Sequence, residues 1–546
     1  MINFRLCWLA ALAGGILFGS DFSLQAGTPK ALVIMLDGTR ADVVDAAATP
    51  NLHKLIAGQW QPGYHGAYAD NARSLSDARP NSAPNHTAIA TGVTAAKHKV
   101  FNNGQTPNGD YQHYPIFLEY LQRAQPELST AFFYSWQESG TIKGGSDAIA
   151  YHHNSDAENN RQAAEFLKNG GDVALVYIDL PDHGGHGESF YPHSAFYLWS
   201  VVQSDRYIGN LLDAISSRPE FAREDWLIVV TADHGGYGPH HGMLGGNAHT
   251  IPFLVCSKTV KPGRIAGTPG NLDAAPTVLA HFGLHPADYP FDGTVRGNEI
   301  QPETEHALAD GLLVYCDFNA ESITNAVDNA EMKKTGAYVK SNVKPGKFDG
   351  ALELPRGDGI AEYVELTGSE AFFADKPEFT VSMWVKMPPE QLGDALLVSN
   401  KDWRDGSLPG FALIAAKLAE SAARPGIGLN LGLTSRQRVD LAQFDVEPEQ
   451  WMFLAATLDA NQTLQLYQGS SSGTLYFINA PAGQAELVSG MPWNIGQDGT
   501  GNYQFNYGGK LDDFALWDRA LSKEELRTIF DAGRRGLALG ELLNHL

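Results

Sequence analysis

The sequence predicts two domains, an α/β doubly wound unit followed by an all-β sandwich, and three observations carry that prediction. Four continuous apolar runs in the first half, residues 31–36, 173–178, 226–230 and 251–256, lack polar alternation, as do strands buried on both faces of a parallel sheet. Between the second and third runs, residues 194–217 place Val201, Ile208, Leu211, Leu212 and Ile215 at helical spacing. Strand, helix, strand implies a βαβ crossover and a doubly wound sheet. After about residue 300 the pattern changes to short β-rich segments separated by turn residues, the mark of an antiparallel sandwich.

The elements follow in chain order. Residues 1–26 read as a secretory signal: Arg5, an apolar run over 6–18, then small and polar residues to Ala26, where cleavage is expected. Gly14 and Gly15 interrupt that run, which falls short of the about 20 apolar residues a spanning helix needs. The expected protein is therefore exported, periplasmic or secreted, and not an integral membrane protein once processed. A further helix is expected over residues 159–168. In the second half, strands are expected at 379–386, 396–398, 411–414, 427–433, 451–458 and 464–468. Gln301-Pro302-Glu303-Thr304-Glu305 reads as a polar linker, which divides the mature chain into domains 27–304 and 305–546.

Of three cysteines, Cys7 falls in the signal, while Cys256 and Cys316 sit in apolar strand-like runs and read as buried thiols, a disulfide between them being the alternative. The formal charge of −23 argues against a protein that grips duplex nucleic acid without sequence preference, which needs a basic footprint. It leaves a phosphorylated small molecule open, because bound metal would dominate the charge of a cleft.

The apolar runs end in acidic residues and histidines, where an open α/β sheet places its ligands. Asp37-Gly38-Thr39-Arg40 follows the first run, Asp182-His183-Gly184-Gly185-His186 the second, and Asp233-His234-Gly235-Gly236 the third. Carboxylates and imidazoles without thiolate suit zinc or a similar divalent ion in a hydrolytic site. Any one of these residues fits a turn or a cap; their joint occurrence after successive buried strands points to a site. Ser82-Ala83-Pro84-Asn85-His86 precedes a predicted helix whose N-terminus would aim unpaired N–H groups at an anion. Alone, Ser82 fits a helix N-cap; beside a metal its hydroxyl becomes an accessible nucleophile.

This ordered set, Asp37-Gly38-x-Arg40, Ser82-x-Pro84-Asn85-His86, Asp182-x-x-x-His186, Asp233-His234-Gly235 and His241-Gly242, resembles the alkaline phosphatase superfamily. Its nearest resemblance is to the type I phosphodiesterase/nucleotide pyrophosphatase branch, over roughly residues 30 to 298. The resemblance implies two divalent ions, zinc foremost, with manganese or another divalent ion as alternatives. One would be held by Asp182, His186 and a third histidine, the other by Asp37, Ser82, Asp233 and His234. For the third histidine, His240, His241 and His249 are all near; His241 fits the spacing to the following strand, while His249-Thr250 resembles the motif of related mutases. His183 and His193 read as loop residues or supports of ligands. Asn103 occupies the place of a phosphate-binding residue. The family's phosphodiesterases usually carry Thr where this chain has Ser82, which resembles the monoesterases, so the resemblance does not choose between mono- and diesters.

The activity so implied is phosphoester hydrolysis through a phosphoseryl intermediate on Ser82, on a nucleotide, a lipid headgroup, a phosphorylated glycan or another phosphorylated small molecule. A sulfatase would carry Arg where His86 stands; a phosphomutase is suggested by His249-Thr250. A glycan-binding or adhesive protein with an inactive core is the reading from a different class. The second half resembles a laminin-G/concanavalin A-like jelly roll, carried by residues 313–318, 346–352, 379–385 and 509–517, with Ser522 and Glu525 at capping-box spacing before a closing helix. That resemblance implies carbohydrate contact and a calcium ion as options, beside the plain alternative of a sandwich that only packs on the core.

Overall fold

The computed structural model describes residues 27–543 apart from 243–245, 301–306, 321, 336–339, 343–345, 359–361, 375–376, 390–392, 417–425, 435, 444–445 and 472. The expected signal and the expected linker at 301–305 lie outside these residues. In the first domain β1 (Thr28–Leu36), β2 (His65–Arg73), β3 (Thr130–Tyr134), β4 (Ile149–His152), β5 (Val173–Ile178), β6 (Glu224–Ala232), β7 (Thr250–Ser257) and β8 (Gly263–Arg264) form one sheet. Its order is β4-β3-β5-β1-β6-β7-β2-β8. Strand β1 pairs in parallel with β5 and β6, the arrangement that buries it on both faces.

Strand β7 departs from the expected parallel sheet, pairing antiparallel with both β6 and β2. All eight of its residues are buried, and burial on both faces writes a continuous apolar run whichever way a strand points. Helix Ala195–Ser216 fills the predicted segment, its first turn capped by Ser194, which accepts from the Tyr197 N–H. Its Ile208, Leu211, Leu212 and Ile215 pack on one sheet face with Leu32, Ile34 and Val176, while Val33, Met35 and Val229 belong to the core on the other.

The second domain packs two antiparallel sheets face to face around Phe379, Phe411, Leu454 and Trp493. Its closing helix, Lys523–Arg534, starts with the capping box foreseen at Ser522 and Glu525. Cys256 and Cys316 are buried free thiols.

The domains meet beside the carboxyl end of β2. Lys523 Nζ lies 2.6 Å from Asp45 Oδ2 and 2.8 Å from Asp70 Oδ2, with Arg264 also on Asp70. Arg73 Nη1 donates to the Asn479 carbonyl at 2.7 Å, and Ala41 packs with Leu521 and Leu526.

Candidate active site

The carboxyl ends of β1, β5 and β6 open side by side, which brings Asp37, Asp182 and Asp233 to one place. Asp182 and His186 lie one turn apart on helix Leu180–Gly187, so both point the same way. That helix can sit close because its glycines carry no side chain: a Cβ on Gly185 would lie 2.3 Å from the Phe190 ring. Gly38, held at φ +65°, and Gly236 face the same ring, and a Cβ on Gly38 would reach Asp182 Oδ1 at 2.9 Å. Phe190 is thus a buried wedge among three glycines, edge-on to His186 with ring centroids 5.4 Å apart.

Ser82 opens helix Ser82–Thr91 at its first residue, with Asn81 as the N-cap. Its Oγ stands 3.2 Å from His234 Nε2. His234 Nε2 lies 3.1 Å from Asp233 Oδ2 and 3.5 Å from Asp37 Oδ1, so the four residues expected at one metal converge. Asp233 Oδ1 accepts the N–H groups of Gly38 and His234, which leaves Oδ2 facing inward. At the other expected site, Asp182 lies 3.4 Å from His186 Nε2 and 3.7 Å from His241 Nε2. Asn103 reaches the nucleophile turn, where its Oδ1 accepts from the Ala83 N–H at 3.0 Å.

Three imidazoles share one arrangement. Nδ1 of His186, His234 and His241 sits 2.9, 2.9 and 3.1 Å from the carbonyls of Pro239, Gly235 and Pro80. A carbonyl only accepts, so each Nδ1 carries the proton, and each Nε2 presents a lone pair beside carboxylate oxygens. Asp37 Oδ1, Asp182 Oδ1 and Asp233 Oδ2 are buried and meet no hydrogen-bond donor among the described residues. Lone pairs and carboxylate oxygens gathered without donors are a donor set for cations, and these residues fit divalent ions. The electrostatics agree: burial, then the charges of Asp37 and Asp233, push the Asp182 carboxyl well above the usual range. Burial above all drives His241 down to about 3, keeping its imidazole neutral.

His249 stands apart from this set. Its Nδ1 lies 2.8 Å from Ser74 Oγ at the domain seam. His183 pairs with Asp179 at 3.3 Å, and His193 stacks beside Tyr191 with centroids 5.6 Å apart. Arg40 is buried and bridges loops, gripping Asp42 through two nitrogens and donating to the Gly236 carbonyl.

Sequence reasoning missed two supports. His86 Nε2 lies 3.2 Å from both Asp37 Oδ2 and Asp233 Oδ2, while its Nδ1 meets Ser139 Oγ at 3.0 Å. Against the cost of burial, the neighbouring Asp233 and Asp37 raise His86 to about 10. The Tyr177 hydroxyl lies 2.7 Å from both Asp37 Oδ2 and Asp179 Oδ1. His86 stood inside the nucleophile motif and was legible there; Tyr177 was hidden in the apolar run of β5.

Residues 31–238 match the family model of type I phosphodiesterase/nucleotide pyrophosphatase. The first domain is type I phosphodiesterase-like. Residues 358–527 match the model of the concanavalin A-like lectin/glucanases superfamily, so the α/β phosphodiesterase-like unit is followed by a laminin-G/concanavalin A-like sandwich. Phosphopentomutase of Yersinia pestis is 33% identical over 128 residues, which is 23% of this chain and 28% of that enzyme. The chain thus spans little more than a quarter of the length of the curated relatives it matches. Among solved structures, murine ectonucleotide pyrophosphatase/phosphodiesterase 5 is 14% identical with a TM-score of 0.40, covering 48% of this chain and 97% of that one. A 2-O GAG sulfatase is 14% identical with a TM-score of 0.40, covering 62% of this chain and 82% of that one.

Proposed function

We propose that the protein is an exported, metal-dependent phosphoric ester hydrolase in which Ser82 is the nucleophile. The observation that carries this reading is the convergence of Ser82 Oγ, three inward carboxylates and three imidazoles whose Nδ1–H groups are tied to carbonyls. Asp182, His186 and His241 would hold one divalent ion and Asp37, Ser82, Asp233 and His234 the other. When bound, such ions supply positive charge that lowers the pKa of the Ser82 hydroxyl and offsets charge on the phosphoryl oxygens.

Ser82 loses its proton to solvent and its Oγ bonds to phosphorus as the bond to the leaving oxygen breaks, that oxygen taking a proton from solvent as the alcohol departs. Asn103, whose Oδ1 takes the Ala83 N–H, would offer its Nδ2 to a phosphoryl oxygen. Water then attacks phosphorus, the Ser82–phosphorus bond breaks, and Ser82 is restored. Phe190 and the buried strand ends exclude bulk water from the floor of the site. His86 and Tyr177 hold the carboxylates of Asp37 and Asp233 in place.

The substrate class is a phosphorylated small molecule: a nucleotide, lipid headgroup or glycan. Carbohydrate contact by the sandwich, with or without calcium, is supported by the lectin/glucanase match. The phosphopentomutase similarity favours a second reading, phosphoryl transfer within a sugar phosphate. The test is elemental analysis of purified protein together with nitrophenol release from phosphate monoester, phosphate diester and sulfate ester. About two zinc-like ions per chain with phosphoester turnover supports the proposal. Sulfate ester turnover alone, or metal-free protein that gains no activity from zinc or manganese, overturns it; isomerisation of a pentose phosphate without hydrolysis selects the second reading.

A further inference from the structure

Strand β7 runs antiparallel to both β6 and β2, so β2 runs the same way as β6 and ends at the same side of the sheet. Arg73, the last residue of β2, therefore stands at the edge that carries Asp37 and Asp233. It lies two strands from β6, about 10 Å across the sheet.

Arg73 is half-buried at the domain seam, and among the described residues no carboxylate pairs with it. Among the described residues only Nη1 finds acceptors, the Asn479 carbonyl at 2.7 Å and Asn479 Oδ1 at 3.1 Å. Burial lowers Arg73 to about 10, with no neighbouring charge raising it. Of the other seam cations, Lys523 has two aspartates and Arg264 has one. Asn479 is fully buried, and among the described residues its Nδ2 has no hydrogen-bond partner, although its Oδ1 also receives the Thr250 hydroxyl at 3.4 Å. A guanidinium with unused N–H groups thus lies beside an amide NH₂ that no acceptor meets. A buried donor such as the Asn479 Nδ2, left unmatched, costs roughly 1–3 kcal/mol, and the half-buried guanidinium beside it keeps a charge that no carboxylate offsets among the described residues. Both are relieved by one anion.

We propose that Arg73 and Asn479 form an anion subsite at the domain seam, taking a second phosphate, sulfate or carboxylate group of the molecule whose phosphoester is cleaved. This rests on the hydrolase reading for the identity of the ligand, and on the seam alone for the anion. The substrate would carry two anionic groups roughly 10 Å apart, as the strand spacing sets. The sandwich contributes Asn479, so the second domain completes the site.

The test uses the full-length mature chain freed of metal with chelator, and inorganic phosphate as the probe, against chloride at matched ionic strength. Phosphate should raise the Tm of wild type and of Ser82→Ala alike, and leave Arg73→Gln unmoved. Because Arg73→Gln could loosen the seam, Asn479→Asp is the second variant. It supplies a fixed carboxylate beside Arg73, so its Tm without phosphate should exceed wild type while its response to phosphate disappears. A phosphate response absent from wild type, or retained by both seam variants, overturns the subsite. In metal-loaded protein, Arg73→Gln should raise KM at least ~10-fold for a bisphosphate, one charged hydrogen bond's worth, and leave nitrophenyl phosphate unchanged; equal effects on both substrates would exclude a role in substrate binding. Loss of all phosphoester turnover with an intact Arg73-dependent phosphate response would sink the hydrolase reading and leave the anion site standing.

Discussion

At the scale of residues, the site depends on groups that hold other groups. Ser82→Ala removes the attacking oxygen and is expected to lower turnover at least ~10³-fold, with metal content by elemental analysis nearly unchanged. Near-wild-type turnover would exclude a seryl intermediate. Tyr177→Phe deletes the hydroxyl shared by Asp37 and Asp179 while keeping the ring. Loss of such a support is expected to weaken metal binding ~10–100-fold, measured by competition with a chromogenic chelator. An unchanged metal affinity would reduce Tyr177 to a core residue. Asp37, Asp182, His186, Asp233 and His234 were legible in the sequence because they follow apolar runs, and chain order carries geometry when strands are parallel; Ser82 and His241 follow no such run and were legible only through the family resemblance. Tyr177 was not, since a phenol in a buried strand looks like any other large side chain until its partner is seen.

Between secondary-structure elements, close approach is set by what glycine leaves out. Helix Leu180–Gly187 meets Phe190 through Gly185, and Gly185→Ala should cost about 1–3 kcal/mol by overpacking, read from urea denaturation. A variant as stable as wild type would show that the ring yields freely. In the sandwich, Asp512 accepts the N–H groups of Lys347 and Phe348 at 2.7 and 3.1 Å. Burial, outweighing those N–H groups, pushes its carboxyl up to about 7. A folded pKa above the unfolded one gives stability that is full below about pH 4 and lost as pH rises through 7. Asp512→Asn keeps an acceptor without the charge, so its Tm relative to wild type should climb between pH 4 and 8; a constant difference would contradict the raised carboxyl. Most elements followed from periodicity, as with helix Ala195–Ser216 and strand Trp451–Leu458. The direction of β7 did not, and neither did β2, whose Ala-rich, polar sequence carries no strand signal although its neighbours bury it.

For the whole molecule, a cluster of charges clasps the seam between the domains. Lys523 replaced by Met removes the cation between Asp45 and Asp70. The expected cost is about 2 kcal/mol, below that of a fully buried pair because Asp45 is exposed and Asp70 keeps Arg264. Differential scanning calorimetry should then resolve two transitions where wild type gives one, and a single unshifted peak would mean the seam is held elsewhere. None of this seam was legible in the sequence, since Asp45, Asp70 and Lys523 are far apart in the chain and each resembles an ordinary surface charge. The Lys523 clasp also bears on what the connection between the halves has to do. With the docking geometry written into the two surfaces, the covalent link serves to keep each half at high effective concentration for the other. A polypeptide broken there would behave as two subunits of one heterodimer, and dilution would become the variable that decides whether the protein is assembled.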